Sequence, residues 1–299
     1  MTFFEIIISL ALERIWPGIA ARRRFGGFTR FSAWAENRIG AGGDWKGAAA
    51  VLLAVLPPVL ATAVLYSLLG GLLGLLAFVF AIAVLLLCLG PADLDAETRS
   101  YIAARQRGDE EEARRRAIDL AGAHDVPADA VQLTRAVVEA VLTQANERIF
   151  AVLFWFAVLG PAGAVFYRLS SLLNDRLPSQ PSPEQDAFAD AARRLHGILG
   201  WLPARLAAFG YAVTGSFADA MYNWSSHDSG QAGWLEKNDL ALAASGLGSL
   251  HMDSGETSLR EGEHHHAAMQ VRAALALVWR TVALWLAVIL AVEIAGWVI

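Results

Sequence analysis

Two apolar runs stand almost back to back near the start of the chain, and they constrain its fold more than any other feature. Ala48 to Tyr66 and Gly71 to Leu89 contain no charged residue, and only Ser67 to Gly70 separates them. A helix of this length reaches about 29 Å, close to the thickness of a bilayer core. Because lipid offers backbone groups no hydrogen-bond partner, such runs are typical of transmembrane helices. The sequence therefore predicts a transmembrane hairpin, bent in its first helix at Pro57 and Pro58.

The overall composition agrees with an integral membrane protein. Of the 299 residues, 56% are hydrophobic and only 18% are charged, which is too apolar for an ordinary soluble domain. The expected partner is therefore the lipid bilayer. The net charge of -5 argues against nucleic acid as a partner. The single cysteine, Cys88, excludes a disulfide framework and a cysteine-based metal site.

A third apolar segment contains an internal break. Within Gln144 to Leu169, the unbroken run Ile149 to Leu159 is followed by Gly160-Pro161-Ala162-Gly163. Glycine and proline interrupt helical hydrogen bonding, so the sequence leaves two structures open. The segment either crosses the bilayer once as a kinked helix or re-enters as a hairpin of half-helices, Ile149–Leu159 and Ala162–Leu172. Each half-helix would be about 16 Å long, roughly half a bilayer.

The segments around the apolar runs are polar and rich in arginine. Arginines lie on both sides of the hairpin, within residues 17–47 and 90–148, so the positive-inside rule places both flanks in the cytoplasm. Within 90–148, Asp109 is expected to cap a helix. Glutamates 110, 111 and 112 are each spaced to pair with an arginine four residues later. The sequence therefore predicts helices in this region.

We predict an all-α, polytopic integral membrane protein with a transmembrane hairpin, kinked or re-entrant helices and a small helical cytoplasmic region. The segment around Arg205 is interpreted as amphipathic or re-entrant, because a central arginine is costly in lipid. The predicted segments, in chain order, are an N-terminal interfacial helix with a basic aromatic segment (1–47), the hairpin (48–89), the helical cytoplasmic region (90–148), the kinked or re-entrant segment (149–173), a Pro-rich linker and amphipathic helix (174–194), the amphipathic or re-entrant segment (195–217), a polar region (218–272) and a C-terminal transmembrane helix (273–299).

Few residues indicate catalysis or metal binding. The run His264 to His266 suggests a metal site, but adjacent residues on a helix point in different directions, so a polar linker is the favoured interpretation. No phosphate-binding loop is present in the sequence. Glu139, Glu147 and Arg205 are the charged residues whose positions should be most costly, and a functional or structural role is left open for them. The sequence therefore predicts no catalytic residue, no metal and no cofactor.

Four groups of residues along the chain form motifs that can be compared with known families. They are Glu13-Arg14, Asn146-Glu147-Arg148 with the following LFWFAVLGPAGAVFYRL, Leu195-His196 with Trp201-Leu202-Pro203 and Arg205-Leu206, and NDLALAASGLGSL at 238–250. Together these motifs resemble the AmpE family of bacterial inner-membrane proteins. This resemblance implies a multi-pass protein of the inner membrane with a sensing or signalling role in β-lactamase induction. It also implies cell-wall recycling as the context and a cytosolic amidase as a partner.

A more distant resemblance is to the CbiB/CobD family, membrane enzymes that attach an aminopropanol unit to a corrinoid carboxylate. Scaffold residues of that family are kept at Glu139, Gly160, Pro161, Gly163, Tyr167, Pro203, Ala204 and Arg205. Most of its acidic and amide residues are replaced, with Thr143-Gln144, Ser171 to Asn174, His196-Gly197 and Gly200 in their places, whereas Glu147 keeps an acid. An ATP-dependent ligation needs carboxylates to hold Mg²⁺. These replacements therefore predict that the chain does not ligate corrinoids.

Three functions follow from these resemblances. The favoured one is an AmpE-like membrane sensor or signalling modulator, without enzymatic activity, that binds a nucleotide or a cell-wall fragment in a pocket inherited from a CbiB-like scaffold. The alternative is an amide-forming membrane enzyme of the CbiB/CobD type, and the third is a structural membrane protein without a ligand. The residues expected to line the pocket are Glu139, Thr143, Glu147, Tyr167, Asn174, His196 and Arg205.

Overall fold

The computed structural model describes residues 2–15, 26–40, 44–122, 126–127, 129–177, 186–226, 233–252 and 263–298. Within these residues every regular element is a helix. The helices are α1 (Thr2–Ile15), α2 (Gly26–Ala35), α3 (Asp44–Leu72), α4 (Gly74–Cys88), α5 (Pro91–Gln106), α6 (Glu110–Ala121), α7 (Ala130–Ala145), α8 (Ala151–Arg176), α9 (Asp186–Thr214), α10 (Phe217–Ser226), α11 (Trp234–Ser249) and α12 (Glu263–Val298). Short π-helical turns, Glu36–Gly40 and Asn146–Phe150, follow α2 and α7.

Four stretches of helix are long and apolar enough to cross a membrane: Trp45–Gly71, Gly74–Gln106, Ala130–Arg176 and Ala267–Gly296. The predicted all-α, multi-pass membrane protein is therefore confirmed. The first two stretches contain α3 and α4, which pack against each other. Only Leu73 separates these helices, so the connection is shorter than the predicted one and lies later in the chain.

The chain reverses direction inside α8. Gly160 has a φ of 65° and a ψ of -154°, which glycine adopts without the steric cost of a side chain. The rings of Trp155 and Phe166 lie 6.4 Å apart, whereas eleven residues of straight helix would separate their positions by about 16 Å. A Cβ added to Gly163 would overlap the carbonyl oxygen of Trp155. The two arms of α8, 151–159 and 161–176, therefore fold back on each other.

The helices divide into two compact units. The first contains the described residues within 1–89, 151–202 and 233–235. In it, α8 packs against α3 and α4, and α1 packs against α4. Leu169 and Leu173 of α8 are buried with Val51 and Val55 of α3 and with Phe188 of α9. The second arm of α8 therefore runs along α3 toward the start of that helix.

The second unit contains the described residues within 90–150, 203–232 and 236–299. In it, α7 and α5 both pack against α12, and α6 packs against α5 and α7. The Tyr211 hydroxyl donates to the Leu142 carbonyl at 2.9 Å, and a Cβ on Gly246 would overlap the Leu142 side chain. These contacts hold α9 and α11 closely against α7.

Candidate functional site

The polar face of α7 begins at Arg135 and continues every four residues. Arg135 donates from Nε to Oε1 of Glu139 at 3.0 Å, and the Thr143 hydroxyl donates to the Glu139 carbonyl oxygen at 3.0 Å. Both partners of the Arg135–Glu139 pair are about one third exposed, so the pair stabilises the helix only slightly. Its clearer effect is to hold the Glu139 carboxylate in one position on the helix surface.

Glu139 and Thr143 line a cavity of about 540 Å³ in the second unit. Across from α7, the wall is formed by α11, which contributes Glu236 and Asp239. Three carboxylates therefore line one cavity, and positively charged or hydrogen-bond-donating groups would bind there. The remaining lining residues are mostly apolar: Ala121, Val126, Pro127, Ala136, Ala140, Leu240 and Ala243.

Sequence reasoning missed Glu236 and Asp239. Both acids precede the apolar part of α11, where they resemble an ordinary polar helix start. The sequence signal that could have identified them is their spacing with Leu240 and Ala243, because residues at i, i+3, i+4 and i+7 share one helix face. Only the fold places that face opposite α7.

Arg205 is held by α11, in the second unit. Its guanidinium donates from NH1 to Oδ1 of Asn238, which is buried. Arg205 lies outside the four candidate membrane spans, and burial lowers the pKa of its guanidinium. A charge in such surroundings needs a fixed hydrogen-bond acceptor, and the Asn238 amide oxygen supplies it. Glu139 therefore pairs with Arg135, whereas Arg205 is bound to a different helix.

Glu147 lies within the π-helical turn Asn146–Phe150. The neighbouring Arg148 donates to Gln144 and forms an ion pair with Glu97, each at 2.9 Å. The Asn146 side chain is buried, and its Oδ1 has no hydrogen-bond partner among the described residues. A buried acceptor of this kind needs a donor, such as a water molecule or a ligand. Single-turn π-helices are frequent at functional sites, and this one was not predicted.

In the first unit, Tyr167 and His196 come together between α8 and α9. Their rings lie 5.3 Å apart, and His196 Nδ1 lies 3.4 Å from the Ser170 hydroxyl. Ser170 donates to the Tyr167 carbonyl oxygen at 2.7 Å. Asn174 follows on the same face of α8 and is half-buried. Because Tyr167, Ser170 and His196 are each about 1% exposed, this cluster stabilises the interior of the unit and offers no open nucleophile.

The seven predicted pocket residues thus fall into two groups. Tyr167, Asn174 and His196 belong to the first unit, and Glu139, Thr143, Glu147 and Arg205 belong to the second. Only Glu139 and Thr143 line the acidic cavity. The described residues include no group of three His, Cys, Asp or Glu side chains that could hold a metal ion. The side chains of His264 to His266 lie outside the described part of the structure.

Comparison with known proteins finds relatives over most of the chain. The profile of the family described as CobD/Cbib protein matches residues 6–278. A cobalamin biosynthesis protein CobD of Stutzerimonas stutzeri is 36% identical over 270 residues, which are 86% of this chain and 85% of the relative. A CobD of Chromobacterium violaceum is 32% identical over 218 residues, which are 73% of this chain and 67% of the relative. No solved structure matches the chain significantly.

These matches contradict the expected AmpE-like signalling role, including its link to β-lactamase induction and peptidoglycan recycling. That prediction was wrong because the motifs that carried it include scaffold residues such as Gly160, Pro161 and Pro203, and scaffold residues do not distinguish between two related families. It also gave much weight to replaced acids, although α11 brings other carboxylates, Glu236 and Asp239, to the cavity. The matches give no support to a cell-wall fragment or a nucleotide as ligand, or to a cytosolic amidase as partner.

Proposed function

Because the chain belongs to the CobD/CbiB family, we propose that it acts in cobalamin biosynthesis as an amide-forming enzyme of the bacterial inner membrane. The reaction implied by the CbiB/CobD resemblance joins an aminopropanol unit to a corrinoid carboxylate. The observation that carries the proposal is the extent of the family match, residues 6–278, which includes residues of both compact units. The proposal includes the assignment of the cavity residues to this reaction and the placement of the enzyme in the inner membrane.

The acidic cavity supports this reaction through its charge and its size. An aliphatic amine is protonated at neutral pH, so the carboxylates of Glu139, Glu236 and Asp239 would attract it. The cavity volume of about 540 Å³ lies in the range of small-molecule sites. The cavity would hold the amine and the reacting carboxyl group and leave the corrinoid ring outside.

The proposed bond-forming step needs a base. The ammonium group loses a proton to a cavity carboxylate, the free amine attacks the corrinoid carboxyl carbon, and a C–N bond forms. The C–O bond then breaks, and its oxygen leaves on a phosphate that ATP has transferred to the carboxyl group. Glu139, which would hold the amine, is the proposed base, because a positioned carboxylate typically contributes about 10²- to 10⁴-fold to such a step.

A Mg²⁺ ion that accompanies ATP is usually bound by one or two carboxylates together with phosphate oxygens and water. Glu236 and Asp239, on one face of α11 about one turn apart, fit that requirement. When bound, the ion would offset the negative charge of the phosphates. The remaining residue of this acidic set, Glu139, is already oriented by Arg135 and would hold the amine.

The proposal is tested by growth of a bacterial strain that lacks its own corrinoid-ligating enzyme, on medium that requires cobalamin synthesis. We expect the full-length protein to restore growth and the corrinoid product to gain the mass of one aminopropanol unit. Glu139→Gln should reduce this product at least about tenfold, as expected when a positioned general base is lost. Asp239→Asn and Glu236→Gln, which remove the proposed Mg²⁺ ligands, should also reduce the product.

Arg99→Gln provides the matched control for this test. Arg99 is 68% exposed and pairs with Asp95 on the surface of α5, so its loss should leave growth unchanged. If the protein reaches the membrane in normal amounts and no growth or product appears, the proposed function is wrong.

A further inference from the structure

The first unit contains a second cavity that the proposed reaction does not use. It has a volume of about 290 Å³ and lies among α3, α4 and α8. Its walls are almost entirely apolar, with Ala61, Leu65, Phe80, Val84 and Leu87 among them. Ala61, Leu65 and Leu87 are exposed, so the cavity opens on the outer surface of these helices. In a membrane that surface faces lipid.

Arg168 is the charged residue among those that line this cavity, and Thr62 is also polar. The packing of α8 along α3 determines at which end of the cavity Arg168 lies. Gly160 is next to Tyr66, whereas Leu173 is buried with Val51, so moving down α8 corresponds to moving toward the start of α3. Because α4 returns antiparallel to α3, that direction leads to the end of α4 at Cys88. Arg168 therefore lies at the cavity end next to Leu87 and Cys88.

That end of the cavity coincides with the end of an apolar run. The apolar run Gly71 to Leu89, which contains α4, ends at Leu89, and acidic residues begin at Asp93. Such a boundary marks the level of the lipid headgroups, where an arginine can place its charge in the polar layer and its stem in the apolar layer. The other cavity wall residues, Phe80 and Leu65, lie deeper along α4 and α3. The cavity therefore has a cationic end at headgroup level and an apolar interior below it.

We propose that this cavity binds one anionic phospholipid of the surrounding bilayer, with an acyl chain among α3, α4 and α8 and the phosphate at Arg168. The distance along α4 from Phe80 to Cys88 is about 12 Å, enough for part of one acyl chain. A lipid held there would contact α3, α4 and the re-entrant helix α8 together. It would therefore stabilise the packing of α8 against the hairpin.

The test uses the full-length protein in nanodiscs of phosphatidylcholine to which phosphatidylglycerol is added, with bound lipid counted by native mass spectrometry. We expect the wild-type protein to retain phosphatidylglycerol in preference to phosphatidylcholine. Arg168→Gln should weaken phosphatidylglycerol binding about fivefold, the effect of one basic residue at a membrane surface. Arg168→Lys, which keeps the charge, should retain the preference.

Two further variants separate the cavity from general surface charge. Ala61→Phe fills the exposed rim of the cavity and should reduce retention of phosphatidylglycerol. Arg30→Gln removes an exposed arginine from α2 of the same unit and should leave retention unchanged. Equal retention of both lipids by the wild-type protein would overturn the proposal, and so would unchanged binding in Arg168→Gln or Ala61→Phe.

Discussion

Pro203 leaves one backbone carbonyl of α9 without its helical hydrogen bond, and Trp155 donates to that carbonyl. Proline has no N–H, so the carbonyl of Leu199, four residues earlier, has no helical donor. The indole Nε1 of Trp155 donates to this carbonyl at 3.0 Å. In lipid or in a protein interior an unpaired carbonyl is costly, so this hydrogen bond stabilises the packing of α9 against the first arm of α8.

Replacing Trp155 with Phe should therefore destabilise the protein. The ring contact with Phe166 remains possible, whereas the donor to the Leu199 carbonyl is lost. An unsatisfied buried acceptor costs about 1 to 3 kcal/mol. The measurement is the midpoint of thermal unfolding in a mild detergent. Trp45→Phe is the control, because Trp45 is 71% exposed, and an equal loss in both variants would contradict the prediction.

At the residue scale, local spacing predicted some contacts and missed others. The Asp109 cap is confirmed, since its carboxylate accepts from the Glu112 backbone N–H at 3.0 Å. Two of the expected ion pairs form, 111 with 115 and 112 with 116. Arg114 instead donates to the Val126 carbonyl at 3.0 Å. Helix geometry fixes which residues are neighbours, but a long side chain also reaches groups that only the tertiary fold brings near.

Among the helices, α8 depends most on a close contact between its own arms. A Cβ at Gly163 would overlap the Trp155 carbonyl and approach the Leu159 Cβ to 2.7 Å. Because backbone cannot yield as a flexible side chain does, Gly163→Ala should push the arms apart and cost about 1 to 3 kcal/mol. Thermal unfolding measures this loss. Gly71→Ala, with no atom within 4 Å of the added Cβ, should have little effect, and similar losses in both would contradict the prediction.

The reversal at Gly160 also predicts which residues share a side of the membrane. In a Cys88→Ser background, single cysteines replace Arg107, Leu73 and Asn174. A membrane-impermeant thiol reagent applied to intact spheroplasts should label Leu73→Cys, at the far end of the hairpin, and leave the other two unlabelled. Leu73 is 61% exposed and provides the positive control. Labelling of Asn174→Cys from outside would show that α8 crosses the membrane.

At the element scale, hydrophobicity predicted the segments better than their paths. The run 149–159 and the Gly-Pro break were visible in the sequence, because glycine and proline limit the local backbone. Whether the helix kinks or reverses depends on whether its two arms pack against each other. In this structure they do, and the rings of Trp155 and Phe166 are in contact. No sequence pattern predicted the π-helical turn at Asn146–Phe150, because its formation depends on how the helices on either side of it pack.

For the molecule as a whole, the boundary between water and lipid is as important as the fold. α12 shows this boundary within one helix, because its early residues Ala267, Val271 and Ala274 are buried against protein, whereas Val288 and Val292 are exposed. The stretch Ala267–Gly296 is about 45 Å long, more than a bilayer core requires. The exposed Arg272 and Arg280 indicate that its first part remains at or outside the lipid surface.

Two equally exposed positions of α12 should therefore respond differently to the same charge. Val288 is 54% exposed and Met269 is 53% exposed. Val288→Arg should impair insertion of the helix, because an arginine deep in the bilayer costs about 3 kcal/mol, whereas Met269→Arg should be tolerated. The fraction of protein that resists alkaline extraction from membranes measures insertion. Equal extraction of both variants would show that Val288 does not face lipid.

The site could be predicted only in part from the sequence. Glu139 and Thr143 were expected from the resemblance to the CbiB/CobD family, and both line the acidic cavity. Glu236 and Asp239 were not found, because nothing in their local sequence indicates that α11 faces α7. The family of the chain was likewise predicted wrongly from short motifs, whereas similarity to a relative over 270 residues identifies it.

The reversal at Gly160 changes the parity of the membrane crossings. If the hairpin of α3 and α4 makes two passes and α8 makes none, we expect α12 to make a single unmatched pass. The last turn of α12 should then be accessible from the compartment opposite the arginine-rich flanks, whereas a crossing α8 would return it to theirs. Extending the thiol labelling to Gly296→Cys, at an exposed position, reads this parity directly, and failure to label it from outside would contradict it.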